Sequence, residues 1–486
     1  MSSLEHDVVV HRVLNNRTGS VVAAAGCGKT EAIVMVAGAT VAAHHSGTMR
    51  KPLILTHTNA GVAALRARLK SHGVPDSRVC LDTIAGWSQR FALAYPATSG
   101  CVIKKPAGKQ WTEIYLAAAR LVQSGAVDRV LQASYARVLV DEYQDCGGEQ
   151  HELCLALRRL LPVCVFGDPM QSIFDFDGRL IDWGTEVTPN FPQIGTLVKP
   201  WRWVKAGNED HATWLEGVRT RLETGQPIIL SKPTPTCSHT VLPSERGHRQ
   251  AVVRNACYEV LRRDGKVVLI ASGKAEGTRV GFAEKLAKLG FTVIEPLDSK
   301  SLLVAAKKLD KANDSKRLSA ALDFLGSCMV GLERSEFETA VTSRMSGRKA
   351  GQKKFGGLID LGVAVGLADG RDKFMSLFLG FRKREGVDCY RREMFAAMLA
   401  AIKSVQIGES SSLEEAIGST VSRSHHLGRI IPHRGIGSTL LVKGLEFEHA
   451  IIVEYPGMTK ADWYVALTRA TKTVTVLSAS PTINPV

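Results

Sequence analysis

Ala23-Ala24-Ala25-Gly26-Cys27-Gly28-Lys29-Thr30 is the stretch that decides how this chain is read. It closes the apolar run Val21–Ala25 and opens a helical pattern, the context in which a phosphate-binding loop forms. Small residues let backbone N–H groups close around phosphates, and the helix N-terminus adds a partial positive charge. In that loop Lys29 supplies a cation for the β- and γ-phosphates, and the Thr30 hydroxyl a ligand for Mg²⁺. Ala23 stands where the usual pattern has its first glycine. Taken alone, the octapeptide also fits a plain small-residue turn between strand and helix.

A second element lies about a hundred residues on. Val138-Leu139-Val140-Asp141-Glu142-Tyr143-Gln144-Asp145 is an apolar strand ending in acids, and strand C-termini are where α/β ligand sites form. Asp141 can hold Mg²⁺ directly or through water, and Glu142 can take a proton from an attacking water. Next comes Gly167-Asp168-Pro169-Met170-Gln171-Ser172-Ile173-Phe174, again just past a strand-like run. Gln171 there is placed to reach a γ-phosphate as a neutral sensor. An isolated acidic pair or a Gly-Asp-Pro turn would read as solvated surface; their order behind the phosphate loop favours a nucleotide site.

Outward from these motifs, short β-rich runs alternate with helical patterns. They are Val21–Ala25, Leu53–Thr56, Val79–Thr83, Val138–Asp141 and Val163–Asp168, with amphipathic stretches such as Ala60–Leu69 between them. A second series comprises Leu197–Lys199, Val267–Ser272, Phe291–Glu295, Thr439–Val442, Ala450–Glu454 and Val474–Leu477. Such alternation predicts two α/β units built on parallel sheets. Residues 301–430 are instead helical by pattern (Leu302–Leu309, Leu318–Leu325, Met394–Val405), with 21 Lys+Arg against 15 Asp+Glu. This reads as a basic helical insertion carrying the run Arg344-Met-Ser-Gly-Arg348-Lys349-Ala-Gly-Gln-Lys353-Lys354. The expected division is therefore 1–195 as the first domain, with a small helical insertion at about 93–137; 196–300 with 431–486 as the second; and 301–430 as the insertion.

Composition agrees with a chain that buries several cores: 486 residues, 45% hydrophobic and 22% charged. Apolar runs fall far short of the ~20 residues a bilayer span needs, and the N-terminus lacks a signal-peptide pattern. A cytoplasmic chain with no membrane partner is expected. Sixty-two Lys+Arg against 47 Asp+Glu give a net charge of +15, an excess suited to a polyanion such as nucleic acid. Ten cysteines form neither a CxxC pair nor a zinc-type cluster and read as buried thiols in a reducing compartment.

With these motifs in order, the chain resembles the UvrD/Rep/PcrA family of superfamily 1 DNA helicases, as a compact member with reduced insertion subdomains. Leu55-Thr56-His57-Thr58-Asn59 resembles motif Ia and Asp82-Thr83-Ile84-Ala85-Gly86-Trp87 motif Ib. Asp141–Asp145 matches motif II, and the Gly167–Phe174 stretch motif III. Pro200-Trp201-Arg202 resembles motif IV, Lys443-Gly444-Leu445-Glu446-Phe447 motif V, and Tyr464-Val465-Ala466-Leu467-Thr468-Arg469-Ala470 motif VI. The resemblance implies two RecA-like P-loop NTPase domains with a helical insertion in the second.

It further implies ATP and Mg²⁺ as cofactors, and a site in which Lys29, Asp141, Glu142, Gln171, Arg202 and Arg469 perform hydrolysis. Arg202 and Arg469 would be arginine fingers brought by the second α/β unit, a guanidinium fork suiting charge on γ-phosphate oxygens. Ala25, Gly26, Cys27, Gly28, Lys29, Thr30 and Glu31 would surround the phosphates, Trp201 would stack on adenine, and Glu446 would contact the ribose or the loop on the ATP side. Thr30 and Asp141 would bind the metal. The family's adenine-reading glutamine has no counterpart, Val8 standing near its spacing; Leu440 replaces the usual motif V histidine.

A DNA strand would run over polar groups at strand ends (Thr56, Thr58, Asn59, Thr83) and the rings of His57, Trp87, Phe174 and Phe176, with Lys443 as an anchor. Core packing is the competing reading for Trp87 and Phe174. The function implied is an ATP-dependent DNA helicase or single-strand translocase, 3′→5′ by resemblance, on single-stranded or tailed duplex DNA. The alternative is a DNA-activated ATPase gating a partner nuclease, as in anti-phage defence; a non-motor P-loop protein is the third.

Overall fold

The structure, a computed structural model, describes residues 4–43, 50–104, 106, 108–173, 179–231, 234–272, 276–294, 300–348, 352–367, 370–424 and 431–486. The first sheet contains β1 (Thr18–Ala23), β2 (Lys51–Thr56), β3 (Cys80–Thr83), β4 (Tyr135–Val140), β5 (Val163–Gly167) and β6 (Gln193–Leu197). All five registered pairings are parallel, in the order β3-β2-β4-β5-β1-β6. Every residue of β5 is buried, as expected of a strand covered by helices on both faces. Gly19 allows the tight β1–β6 approach, because a Cβ there would lie 2.5 Å from Ile194.

The later strands are β7 (Ile228–Ile229), β8 (Cys237–Val241), β9 (Val267–Ile270), β10 (Thr292–Val293), β11 (Met329–Val330), β12 (Asp388–Cys389), β13 (Arg434–Gly437), β14 (Phe447–Val453), β15 (Ala470–Ser478) and β16 (Thr482–Ile483). A second six-stranded sheet has the order β10-β13-β9-β14-β15-β8, and its β10–β13, β13–β9 and β9–β14 pairings are parallel. The α/β class with two such sheets is thus as expected. Among the described residues no helix is long and apolar enough to cross a membrane.

Two expected strands are placed differently. Leu197–Lys199 does not start the second series; Leu197 ends β6 at the edge of the first sheet. Thr439–Val442 is a helical turn, because Ser438 accepts the Leu441 N–H at 3.3 Å and caps it; the strand is the preceding Arg434–Gly437. β8, whose residues alternate without a strong apolar face, was not anticipated.

Between β3 and β4 lies the small helical insertion, with helices Gln110–Gln123 and Asp128–Ser134. Between β10 and β13 lies the large one, including helices Lys300–Lys311, Asp314–Cys328, Arg334–Met345, Phe374–Lys383 and Arg392–Gln406. It has an apolar core of its own around Leu325, Phe337, Phe378, Phe381 and Met398, and β11 pairs antiparallel with β12 at its edge.

The chain forms two compact units: Met1–His239 with Pro456–Val474 and Pro481–Val486, and Thr240–Tyr455 with Thr475–Ser480. Residues 196–239 and the motif VI helix Lys460–Leu467 thus group with the first sheet rather than with the second. One backbone bond ties this stretch to the phosphate loop after β1, Arg202 N–H donating to Gly26 O at 3.1 Å; the Trp203 indole side chain also donates to Ala470 O, the first residue of β15, at 2.8 Å.

Candidate nucleotide-hydrolysis site

The site lies in the first unit, at the C-terminal ends of β1, β4 and β5. After β1 the chain turns through Gly26 (φ 73°) and Gly28 (φ 86°) into helix Lys29–Ala43. Both glycines are required by conformation and by space. A Cβ on Gly26 would lie 2.8 Å from Arg202 and from the Trp203 ring, and one on Gly28 would lie 2.5 Å from His6 Nε2. Cys27 is buried and its Sγ contacts Val198 O at 3.3 Å. Burial, reinforced by Asp168 and Glu5, pushes that thiol up to about 12, so it stays protonated at neutral pH.

Lys29 is 9% exposed. Its Nζ donates to Glu142 Oε2 at 2.6 Å and lies 3.9 Å from Asp141 Oδ1. Burial by itself would lower the lysine pKa, but the Glu142 and Asp141 charges outweigh it and hold the ammonium charged. Glu142 occupies left-handed backbone (φ 54°, ψ 41°) at the end of β4, a conformation uncommon outside glycine. This kink aims its carboxylate back at the phosphate loop, where Gln144 Nε2 also donates to Oε2 at 2.6 Å.

From there a continuous hydrogen-bonded chain links the motifs. Gln144 Oε1 accepts the Asp168 N–H at 3.0 Å. Asp168 Oδ2 accepts Gln171 Nε2 at 2.8 Å. Gln171 Oε1 accepts Arg469 Nη2 at 3.1 Å. Arg469 is 1% exposed and its Nε donates to Val465 O at 2.9 Å. Arg202 Nη1 donates to Thr468 O at 2.8 Å, one residue from Arg469. Trp201 is half-buried, with Lys199 Nζ 4.2 Å from its ring centroid and His6 6.3 Å away.

Six residues expected to perform hydrolysis, Lys29, Asp141, Glu142, Gln171, Arg202 and Arg469, therefore belong to one unit, and four of them to one bonded chain. Ala25, Gly26, Cys27, Gly28 and Trp201 surround the same loop. Thr30, half-buried on the first turn of the helix, and Asp141 offer a hydroxyl and a carboxylate. That donor set fits Mg²⁺, which takes few protein ligands and keeps water and phosphate oxygens.

The remaining expected site residues are placed as follows. The Glu31 carboxylate pairs with Arg68 at 2.9 Å and His72 at 2.7 Å. Trp87 is 2% exposed, stacks on Phe91 at 4.7 Å and donates to Tyr135 Oη at 3.1 Å, so it is core. Thr83 is buried because its Oγ1 caps helix Ile84–Ala94 through the Gly86 N–H at 2.9 Å, and Thr56 is 2% exposed. His57 and Asn59 are half-buried, His57 Nε2 lying 3.5 Å from Cys146 Sγ. Phe174 and Phe176 lie outside the described residues. Lys443, half-buried, and Glu446, exposed, belong to the second unit, before β14.

Four participants, Gln144, His6, Arg219 and Tyr464, were not anticipated. Gln144 bridges Glu142 and Asp168. His6 Nε2 lies 3.1 Å from Gly28 O. Arg219, in helix Glu209–Glu223, donates to Asp168 Oδ1 at 2.8 Å and to Tyr464 Oη at 3.0 Å. Gln144 and Tyr464 stand inside quoted motifs, a signal that could have been used; Arg219 lies in a polar helix with no local signature.

Residues 6–177 match the AAA domain family, a span that contains the phosphate loop, Asp141, Glu142 and Gln171. No curated protein matches the chain. Among solved structures, the chain is similar to the Pif1 helicase from Candida albicans, at 10% identity and a TM-score of 0.43, covering 98% of this chain and 95% of that one. Another is the arterivirus nonstructural protein 10 helicase in complex with DNA, at 9% identity and a TM-score of 0.35, covering 97% of this chain and 63% of that one.

Proposed function

We propose that the chain is an ATP-hydrolysing, nucleic-acid-dependent motor of the superfamily 1 helicase type. The observation that carries this is the bonded chain Lys29–Glu142–Gln144–Asp168–Gln171–Arg469. It joins a phosphate-loop cation, an acid, a neutral amide and a buried arginine, the groups phosphoryl transfer to water requires. Thr30 and Asp141 would hold Mg²⁺, which when bound neutralises phosphate charge. The ammonium of Lys29 would move from Glu142 to the phosphates, releasing that carboxylate to orient and deprotonate water. Gln171 and Arg469 would answer to the terminal phosphate, and Arg202 would add a second guanidinium.

The net charge of +15 supports nucleic acid as the activating polymer. The seven ordered motifs favour the UvrD-like subtype, 3′→5′ movement and DNA. The second reading, a DNA-activated ATPase that gates a partner nuclease in anti-phage defence, is favoured by the short insertion between β3 and β4.

The test is hydrolysis of ATP with and without single-stranded DNA, followed by displacement of a strand from a 3′-tailed duplex. We expect stimulation of at least about tenfold together with displacement. Stimulation without displacement selects the gating reading, and an absence of hydrolysis under every condition discards both.

A further inference from the structure

Arg219 is largely buried, and its Nη1 donates both to Asp168 Oδ1 at 2.8 Å and to Tyr464 Oη at 3.0 Å. Its partner Asp168 is fully buried and uses its other oxygen to hold the Gln171 amide at 2.8 Å. On the other side, Tyr464 Oη accepts the Ala25 N–H of the phosphate loop at 3.3 Å. The guanidinium also stacks over the Tyr464 ring, 5.2 Å from its centroid. Burial would lower the arginine pKa, but Asp168 outweighs it and keeps the cation charged. Burial raises the Tyr464 phenol to about 12, so it accepts these bonds as a neutral hydroxyl.

We propose that Arg219 is a positioning residue of the hydrolysis site, a single guanidinium that ties the phosphate loop at Ala25 to the Gln171 amide through Tyr464 and Asp168. The inference rests on the ATPase reading and adds to it a residue outside every motif. A phosphate loop filled by nucleotide and a glutamine that senses the terminal phosphate must move in concert, and Arg219 provides the rigid link. Its removal leaves a fully buried carboxylate without its cation, so the Gln171 amide loses its fixed acceptor while the loop itself still binds phosphate through Lys29 and its backbone.

The test measures steady-state ATP hydrolysis, with its kcat and KM, and equilibrium binding of a fluorescent ATP analogue, for R219Q, R219K, Y464F and the R219Q/Y464F pair. R219Q is expected to lower kcat by about 10- to 100-fold while analogue binding changes by less than about threefold. R219K, which keeps a cation beside the buried Asp168 but loses the guanidinium stacking on Tyr464, should recover most of the R219Q loss, to within about fivefold of wild type. The pair should be no worse than R219Q alone, since both act on one chain of bonds. E223Q removes the outer partner of Arg219, bonded at 2.8 Å, and should leave kcat within about twofold.

Equal losses of binding and turnover in R219Q, or multiplying effects in the pair, would overturn the proposal. So would R219K behaving like R219Q. If R219Q does not fold, R219K and Y464F still decide, because a merely structural arginine gives no kcat-specific loss in Y464F. A wild-type chain that hydrolyses no triphosphate removes the ATPase reading itself; an active wild type with an unaffected R219Q removes only this inference.

Discussion

Glu142 adopts left-handed backbone without being glycine, which costs of order 1 kcal/mol. The strain is held because its carboxylate meets Lys29 Nζ at 2.6 Å and Gln144 Nε2 at 2.6 Å. If Glu142 serves as the base, Glu142→Gln keeps the shape and most of the bonding but cannot take a proton. Nucleotide binding should then stay within a few-fold of wild type while kcat falls by about 10²- to 10³-fold. Normal turnover in this variant, measured in single-turnover and steady-state assays, would assign the base elsewhere.

Elements hold the site through buried side chains that the motifs do not include. Helix Glu209–Glu223 carries Arg219 on its second half and His211 on its first turn. His211 is fully buried, stacks on Trp214 at 5.4 Å, meets Trp203 edge-on at 6.1 Å, and its Nδ1 lies 3.0 Å from Thr236 Oγ1. Burial lowers its pKa from 6.5 to about 4. The unfolded chain therefore binds this proton first, so the stability that the neutral imidazole contributes is present above pH 6.5 and is lost as pH falls toward about 4. We expect His211→Gln to flatten the pH dependence of urea unfolding between pH 7.5 and 4.5 by about 2–3 kcal/mol. A variant whose curve parallels wild type across that window would show that His211 does not titrate as its burial implies. Just before this helix, Asn208 at its N-cap donates from Nδ2 to Thr471 O and Lys472 O at the start of β15, each at 2.8 Å.

Across the molecule, the basic excess is unevenly available. In the basic run Arg344–Lys354 of the insertion, Arg348 and Lys353 are exposed, and Lys349 lies outside the described residues. Lys354 is committed within the insertion, 2.9 Å from Glu333 and 2.5 Å from Glu336, with Arg384 also bonded to Glu333. Reversing charge at Arg348 and Lys353 together should weaken nucleic-acid binding and reduce the slope of log K against log salt by about 1.5. Reversing Lys354 alone should lower the melting temperature of the insertion and leave that slope nearly unchanged. A salt titration in which the double reversal changes nothing would return Arg348 and Lys353 to ordinary solvated surface.

Local chemistry was legible in the residues because a phosphate loop and a strand ending in acids each draw on neighbours in the chain. Periodicity likewise revealed the alternating sheets and the helices of residues 301–430. Thr439–Val442 escaped this reading, since four apolar-leaning residues suit a turn of helix as well as a strand once Ser438 caps them. Thr83 escaped it too, and Trp87 stayed open between core and strand contact, because burial depends on what packs from elsewhere: Phe91 and Tyr135 around the indole, and a helix needing a cap above the threonine. Which residues share a site across long separations was decided only by tertiary structure. Arg219 reaches Asp168 across 51 positions and Tyr464 across 245, and Arg469 reaches Gln171 across 298. No local pattern encodes such pairs: their bonds form only after each strand and helix has buried its apolar face and brought distant carboxylate and guanidinium groups together out of water.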